Sequence, residues 1–375
     1  MGTQRVLDTR HSRTVTQSSL FGFESCGSLR WTLAMINDRI IAVHTLILSH
    51  SDVVGLLPMA TCIDLMADAL AAASRGEAVL PLRQVMRLPN SPNAFGLMPA
   101  LLGDALGAKI ITVFPDNAGT PYESHIGVVL YFETTNGQLR AIIDASSVTA
   151  IRTAAVSGLA TQLLANKGAN NLGLLGGGVQ ALTHLEAMVC ARRLKRVRVW
   201  SRSAERRTEF IRQAKQRLNI EAEDCTTPQD AVRDADIICT VTSSREPVLH
   251  GEWISDGAHI NAVGASQPTS RELDTAAVVR SRLYVDRRES ARNEAGDFLG
   301  PRKEGAIGDA HILGEIGELV AGTIDGRTSE SEVTLFKSLG LAVEDVACAA
   351  YLYKRAISEG AGQRVAIGGM RDVAH

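Results

Sequence analysis

The chain has 375 residues, of which 45% are hydrophobic and 21% charged, and its formal net charge is −2. Length and composition describe a globular protein of about two domains. The near-balanced charge gives neither nucleic acid nor an anionic membrane a reason to bind, and no apolar run is long enough to span a bilayer.

Residues 1–38 differ from the rest: Arg5, Arg10, Arg13 and Arg30 stand among Ser and Thr with few acids. That composition fits a transit peptide, a disordered extension, or sequence upstream of a start at Met35. The disordered extension is the expectation. Periodicity then predicts a strand at 40–48, a helix at 51–73, and strands at 80–88, 95–100 and 108–114. Strands at 125–132 and 139–144 flank Asn136-Gly137, a hairpin signal. This half reads as a mostly β, α+β domain. A helix follows through 165, and then strands at 172–175, 197–200, 237–241 and 259–263 alternate with helices such as those from Gln180 and Ala204. That α/β rhythm is a parallel, doubly wound sheet of Rossmann type. One more strand is predicted at 283–286. The segment 332–338 and a helix at 342–358 leave the rhythm and are expected to return to the first domain. Six cysteines (Cys26, Cys62, Cys190, Cys225, Cys239 and Cys348) form no Cys-x-x-Cys pair. They read as reduced thiols of a cytoplasmic protein rather than a disulfide frame or a zinc site.

The most informative stretch is the strand 172–175 running into Gly176-Gly177-Gly178-Val179-Gln180-Ala181 and a helix. A dinucleotide's pyrophosphate is cradled in this way. Gly176 permits the tight turn, Gly178 lets backbone approach phosphate, and the small Ala181 lets helix pack on strand. The helix N-terminus then faces the anion with free N–H groups. The next strand, 196–200, ends in Ser201-Arg202-Ser203 with no carboxylate at its tip. An NAD site places an acid there for the ribose hydroxyls. Arg202, with the hydroxyls of Ser201 and Ser203, suits a 2′-phosphate instead, so NADPH is expected, with NADH possible. The alternative is that Arg202 is a solvated loop charge.

Three cations stand at strand ends, in a strand or at a helix start: Arg83, Lys109 and Arg152. Lys109 lies inside an apolar strand, where a charge is costly unless paired. Each cation reads either as part of an anion site or as a structural ion pair or a snorkelling side chain. His125 is a candidate for the substrate side or a hydrogen-bonded structural histidine. His184, His250 and His311 lack ligand spacing, so no metal is expected. Asp286, Asp297, Glu315 and Glu318 either line the cleft or cap helices. Glu272 and Asp345 are expected to make ion pairs that hold the domains together. Lys337-Ser338 either covers the nicotinamide or forms a simple loop.

Together, Pro81-Leu82-Arg83, Met98-Pro99-Ala100, Lys109 with Asn117, Thr149-Ala150-Ile151-Arg152-Thr153-Ala154, the glycine turn, the run from Asn261 to Leu273 and the run from Phe336 to Asp345 resemble the ornithine cyclodeaminase/mu-crystallin family. The likeness covers about residues 40–360. It implies a homodimer in which a Rossmann domain (153–322) is inserted in an α+β substrate-binding and dimerisation domain (39–152 with 323–362), followed by a tail (363–375). It implies that Arg83, Lys109 and Arg152 clamp the substrate. Ser124, Arg152, Thr153, Gly176, Gly178, Val179, Gln180, Thr242 and Ser338 would touch cofactor, beside Ser201, Arg202 and Ser203. One departure bears on the branch. Cyclodeaminases of the family carry an aspartate where this chain has Ser266, in Val263-Gly264-Ala265-Ser266. A serine hydroxyl cannot serve as that base at neutral pH. The wording is closer to the mu-crystallin branch, which implies NAD(P)H-dependent reduction of cyclic ketimines such as Δ1-piperideine-2-carboxylate and Δ1-pyrroline-2-carboxylate to cyclic L-amino acids. Lys109, with water or Ser266, is then the candidate for tuning the imine proton. The alternatives are an ornithine cyclodeaminase, an alanine dehydrogenase-like enzyme acting on an amino acid, or a protein that binds NADPH and a small ligand without turnover.

Overall fold

The computed structural model describes residues 44–117 and 120–368. The expected N-terminal extension, 1–38, lies outside the described residues, as do 369–375 of the expected tail. The first strands are His44–Leu48 (β1), Ala78–Val79 (β2), Gln84–Arg87 (β3), Ala94–Leu102 (β4), Ala105–Val113 (β5), His125–Phe132 (β6) and Leu139–Asp144 (β7). The next series is Asn171–Leu175 (β8), Arg196–Trp200 (β9), Glu223–Asp224 (β10), Ile237–Thr240 (β11), His259–Ala262 (β12), Ser281–Val285 (β13), Ile312–Glu315 (β14) and Val333–Lys337 (β15), and Gln363–Ala366 (β16) comes last. The long helices are Met59–Ser74 (α1), Ala145–Leu164 (α2), Val179–Ala191 (α3), Ala204–Leu218 (α4) and Ala342–Glu359 (α5). No single helix among the described residues is long and apolar enough to cross a membrane.

One sheet has the order β16-β1-β7-β6-β5-β4-β2, with β3 also on β4. Its centre is antiparallel, because two short turns join its long strands. Gly103, at φ +58°, helps turn β4 into β5 with Leu102 opposite Ala105, and Gly137, at φ +75°, lies in the expected turn between β6 and β7. The predicted helix at 51–73 is two helices, His50–Leu56 and α1. Pro58 caps the second and cannot supply the N–H that would continue the first. The predicted strand at 80–88 shrinks to β3, leaving Arg83 on the stretch just before it.

The other sheet has the order β10-β9-β8-β11-β12-β15-β13-β14, and its strands are parallel throughout. The chain leaves β8 for β9 on one side and later places β11 on the other. The carboxyl ends of β8 and β11 therefore form the switch point where such sheets take ligands. Two sequence expectations need correction. The segment 332–338 does not return to the first sheet as a strand: β15 lies between β12 and β13. Each of its residues is buried, which suits a central parallel strand covered on both faces. Part of the expected tail is also ordered, since β16 pairs antiparallel along β1 and extends the first sheet. Only after β15 does the chain cross back, through 338–341, into α5. That helix packs on the inner face of β4 and β5. Gly107 allows the close approach: a Cβ there would fall 2.6 Å from Leu130 O and 3.0 Å from Val346 Cγ2.

Candidate active site

The glycine turn follows from its local geometry. Gly176 has φ +130°, and a Cβ on it would fall 2.7 Å from Val241 O, so only glycine fits between β8 and the loop after β11. Gly178 caps α3 without any side-chain bond, and a Cβ there would meet nothing within 4 Å. The helix N-terminus therefore opens into free space, with N–H groups that have no intrahelical acceptor. Gln180 adds a buried Oε1 with no hydrogen-bond partner among the described residues. A pyrophosphate-bearing dinucleotide fits the free N–H groups, whereas Gln180 Oε1 is an acceptor and is open to a donor. At the end of β9, Arg202 is exposed, whereas Arg207 bonds Asp224 and donates to Ser201 O at 2.7 Å. The Ser203 hydroxyl is not the free donor expected of it: it caps α4 by accepting from Arg206 N (3.1 Å) and donates to Glu205 Oε2 (2.7 Å). Thr242 is likewise held, its N and Oγ1 both donating to Glu272 Oε1. Ser338 is buried at the end of β15, its N–H donating to Ala262 O.

The three cations are gathered near the crossover 338–341, and none of them is unpaired. Lys109, on the inner face of β5, is 2% exposed, and its Nζ lies 2.8 Å from Asp345 Oδ2 and 3.4 Å from Thr149 Oγ1. Arg152, two turns into α2, donates from Nε to Asp345 Oδ1 (3.1 Å) and from Nη1 to Glu344 Oε2 (2.8 Å). Asp345 on α5 thus bridges both cations. Burial by itself would raise the Asp345 carboxyl, but Arg152 and Lys109 outweigh it and hold it below the usual carboxylate range. Burial, with Arg152 adding to it, brings Lys109 down to about 8. Burial brings Glu344 up to about 7 against the pull of Arg152.

Arg83 donates from Nη2 to Leu339 O (2.9 Å) and Gly340 O (2.8 Å), and its Nε meets Glu294 Oε2 at 3.0 Å. From the other sheet, the Asp286 carboxylate after β13 accepts from Leu339 N (2.6 Å) and Gly340 N (2.7 Å). The crossover is therefore gripped from both sides. The expected clamp of three free cations becomes a set of cations already neutralised by the chain's own acids, because none could be buried without a partner. Capacity remains at Arg83: a guanidinium has five N–H groups, and those on Nη1 are not used in these bonds. Arg83 lines a cleft with Met98, Arg287, Ser290 and Gly340.

The remaining candidates scatter around this centre. Ser124 Oγ is bonded to His125 Nδ1 at 3.0 Å, and Ser146, in the first turn of α2, donates to His125 O. Thr153 is buried beside Arg152. Ser266 is exposed on the loop after β12, and Lys109 is bonded to Asp345 and Thr149 rather than to it. His184 is a buried structural histidine bonded to Ser157 and Gln180 O, and burial pushes it down to about 4. Among the described residues Glu272 makes no ion pair of its own; it accepts four hydrogen bonds instead. Sequence reasoning passed over Glu294 and Glu344. For Glu344 a signal existed: two adjacent acids, Glu344-Asp345, sit in a helix start that is otherwise apolar and buried, where charges need partners.

The model of the ornithine cyclodeaminase/mu-crystallin family matches residues 43–360. Ketimine reductase mu-crystallin of Mus musculus is 40% identical over 280 residues, 74% of this chain and 85% of that one. The solved structure of Thermococcus litoralis Delta(1)-pyrroline-2-carboxylate reductase in complex with NADH and L-proline superposes with a TM-score of 0.84. It is 36% identical and covers 86% of this chain and 100% of that one. An archaeal alanine dehydrogenase dimer with bound NAD gives a TM-score of 0.81 at 30% identity, over 86% and 99%.

Proposed function

The chain belongs to the ornithine cyclodeaminase/mu-crystallin family, and from that we propose that it is an NAD(P)H-dependent reductase of cyclic ketimines bearing a carboxylate next to the C=N bond. Its substrates are of the Δ1-pyrroline-2-carboxylate and Δ1-piperideine-2-carboxylate class, and its products are cyclic L-amino acids. The observation that carries reduction rather than cyclisation is the loop after β12. Ser266 is exposed there, and the nearest acid in sequence, Glu272, is fully buried and occupied by four donors. No carboxylate of that loop is left to act on an amine. The Thermococcus litoralis relative, with NADH and the cyclic amino acid L-proline bound, supports the same chemistry.

When bound, the reduced nicotinamide supplies a hydride. The chain's own residues do the rest. Val179 and Gln180 offer backbone N–H groups to the pyrophosphate, and Arg202 takes the 2′-phosphate, which favours NADPH. Arg83 offers Nη1 to the substrate carboxylate from the cleft. Lys109, kept largely protonated at neutral pH by its value of about 8, adds positive charge and is held in place by Asp345. A protonated imine is already a good hydride acceptor, so the site needs no strong acid.

The working unit is a homodimer. The outer face of β4, β5 and β6 carries Phe95, Leu97 and Pro99 beside Ala108, Ile110, Ile126 and Val128, and the most exposed of these are Phe95 (37%) and Ile126 (44%). An apolar sheet face of that extent marks an interaction surface.

The assay follows cofactor absorbance with NADPH and NADH against Δ1-pyrroline-2-carboxylate, Δ1-piperideine-2-carboxylate and ornithine. Stoichiometric loss of NADPH with an imine is expected. Ammonia release from ornithine with no net change in cofactor would overturn the proposal in favour of cyclodeamination.

A further inference from the structure

Glu272 is 0% exposed and bonded to no cation among the described residues, yet both of its oxygens are fully used. Oε2 accepts from Thr240 Oγ1 (2.8 Å) and Gly264 N (2.6 Å), and Oε1 accepts from Thr242 N (2.6 Å) and Thr242 Oγ1 (2.7 Å). Burial pushes the Glu272 carboxyl above its usual range, the nearby Lys337 and the Thr242 donors pull it back, and in its ionised form it accepts at all four sites. A second acid braces it. Asp297 Oδ1 accepts from the backbone N–H of Glu272 (2.8 Å) and Leu273 (3.0 Å). Asp297 Oδ2 lies 3.0 Å from Nζ of the buried Lys337, which also donates to Ala262 O at 3.2 Å. One carboxylate and its brace therefore tie the carboxyl ends of β11, β12 and β15 to one another.

Those ends border the switch point between β8 and β11. The loop after β11 abuts the glycine turn, because Val241 O is what excludes a side chain at Gly176. The packing leaves no slack: a Cβ on Gly264 would fall 2.1 Å from Thr242 O and 2.6 Å from Glu272 Oε1. A shift of Thr242 alone would break both of its bonds to Glu272.

We propose that Glu272 is a positioning residue that fixes the wall of the crevice against which the nicotinamide end of the dinucleotide lies, acting through Thr242 and Gly264 and braced by Asp297 and Lys337. This rests on the reading that a nicotinamide dinucleotide occupies that crevice. Arg202 and the N-terminus of α3 grip the other end of the cofactor, so disturbing Glu272 loosens the nicotinamide without releasing the nucleotide.

Thr240→Val is the discriminating variant, since Thr240 is wholly buried in β11 and its hydroxyl reaches Glu272. Glu272→Gln is the stronger one. Each is titrated with NADPH, and the fluorescence lifetime of the bound nicotinamide is recorded beside kcat and KM. The dissociation constant of NADPH is expected to stay within about threefold of wild type, while the lifetime moves toward that of free cofactor and kcat falls roughly tenfold or more. Thr240→Ser, which keeps the hydroxyl, restores lifetime and kcat. A merely structural role would lower the melting temperature of both variants and leave lifetime and kcat at wild-type values, and that result overturns the inference. If Glu272→Gln does not fold, Thr240→Val against Thr240→Ser decides. A wild-type protein that fails to bind NADPH defeats the underlying reading, and this inference with it. A wild type that binds, with variants indistinguishable from it, defeats this inference alone.

Discussion

Lys109 shows how far a single side chain is governed by what surrounds it. It faces Asp345, Thr149 and the neighbouring guanidinium of Arg152, and it is buried. Burial and Arg152 disfavour its charge; Asp345 favours it; the result is about 8. Below about pH 8 Lys109 is charged and, on the proposed function, would assist an anionic substrate; above it the charge is lost. With Δ1-pyrroline-2-carboxylate, kcat/KM should therefore fall as pH rises through about 8. Lys109→Met should remove that limb of the profile and lower the plateau by at least about tenfold, since a charge-assisted bond is worth roughly 1.5–3 kcal/mol. A profile in Lys109→Met that still falls near pH 8 would assign the limb to another group.

At the scale of the element, the crossover from β15 to α5 does what no isolated residue can. Gly340 has φ +75°, and a Cβ there would fall 2.3 Å from Arg152 Nη1. The turn therefore needs glycine twice over, for its backbone and for the guanidinium lying on it. Gly340→Ala should cost on the order of 1–3 kcal/mol in urea denaturation, from strain at positive φ together with displacement of Arg152. It should also lower kcat/KM, because Arg83 and Asp286 hold the same two peptide units. Helix α2, which presents Thr149 and Arg152, is fixed at both ends. The Asp144 side chain accepts from Ser147 N at 2.9 Å, while Arg192 donates to Ala165 O (2.9 Å) and Arg327 to Leu164 O (2.7 Å) beyond its last turn. These arginines act on carbonyls that local sequence leaves unsatisfied.

For the whole molecule, the first sheet has two faces with different tasks. The inner face carries Lys109 against α5; the outer carries Phe95, Leu97, Ile110 and Val128. Ile110→Glu would set a charge at the centre of the outer face. Sedimentation should then show a monomer where a dimer is expected of the wild-type protein. A wild-type monomer would remove the dimer from the proposed function.

The glycine turn, the alternation of strand and helix from β8 to β12 and the hairpin at Gly137 were all legible in the chain alone. Each depends on neighbours a few residues apart: a positive φ, a period of two, a helix start. The inward placement of Lys109 was legible as a problem, a charge in an apolar strand, but not as a solution. The partners that neutralise it and Arg152 lie far along the chain, with Arg152 and Asp345 separated by 193 positions. Sequence periodicity carries no information about which distant acid meets which cation. The same holds for β15, whose buried pattern states that it is central without saying in which sheet. The sequence by itself determined the kind of site, a dinucleotide turn with cations set beside it. Only the tertiary structure decided that those cations are paired at rest and that Glu272 accepts from Thr240, Thr242 and Gly264 at the ends of β11 and β12, because both depend on burial, and burial is set by elements that meet only when the chain has folded.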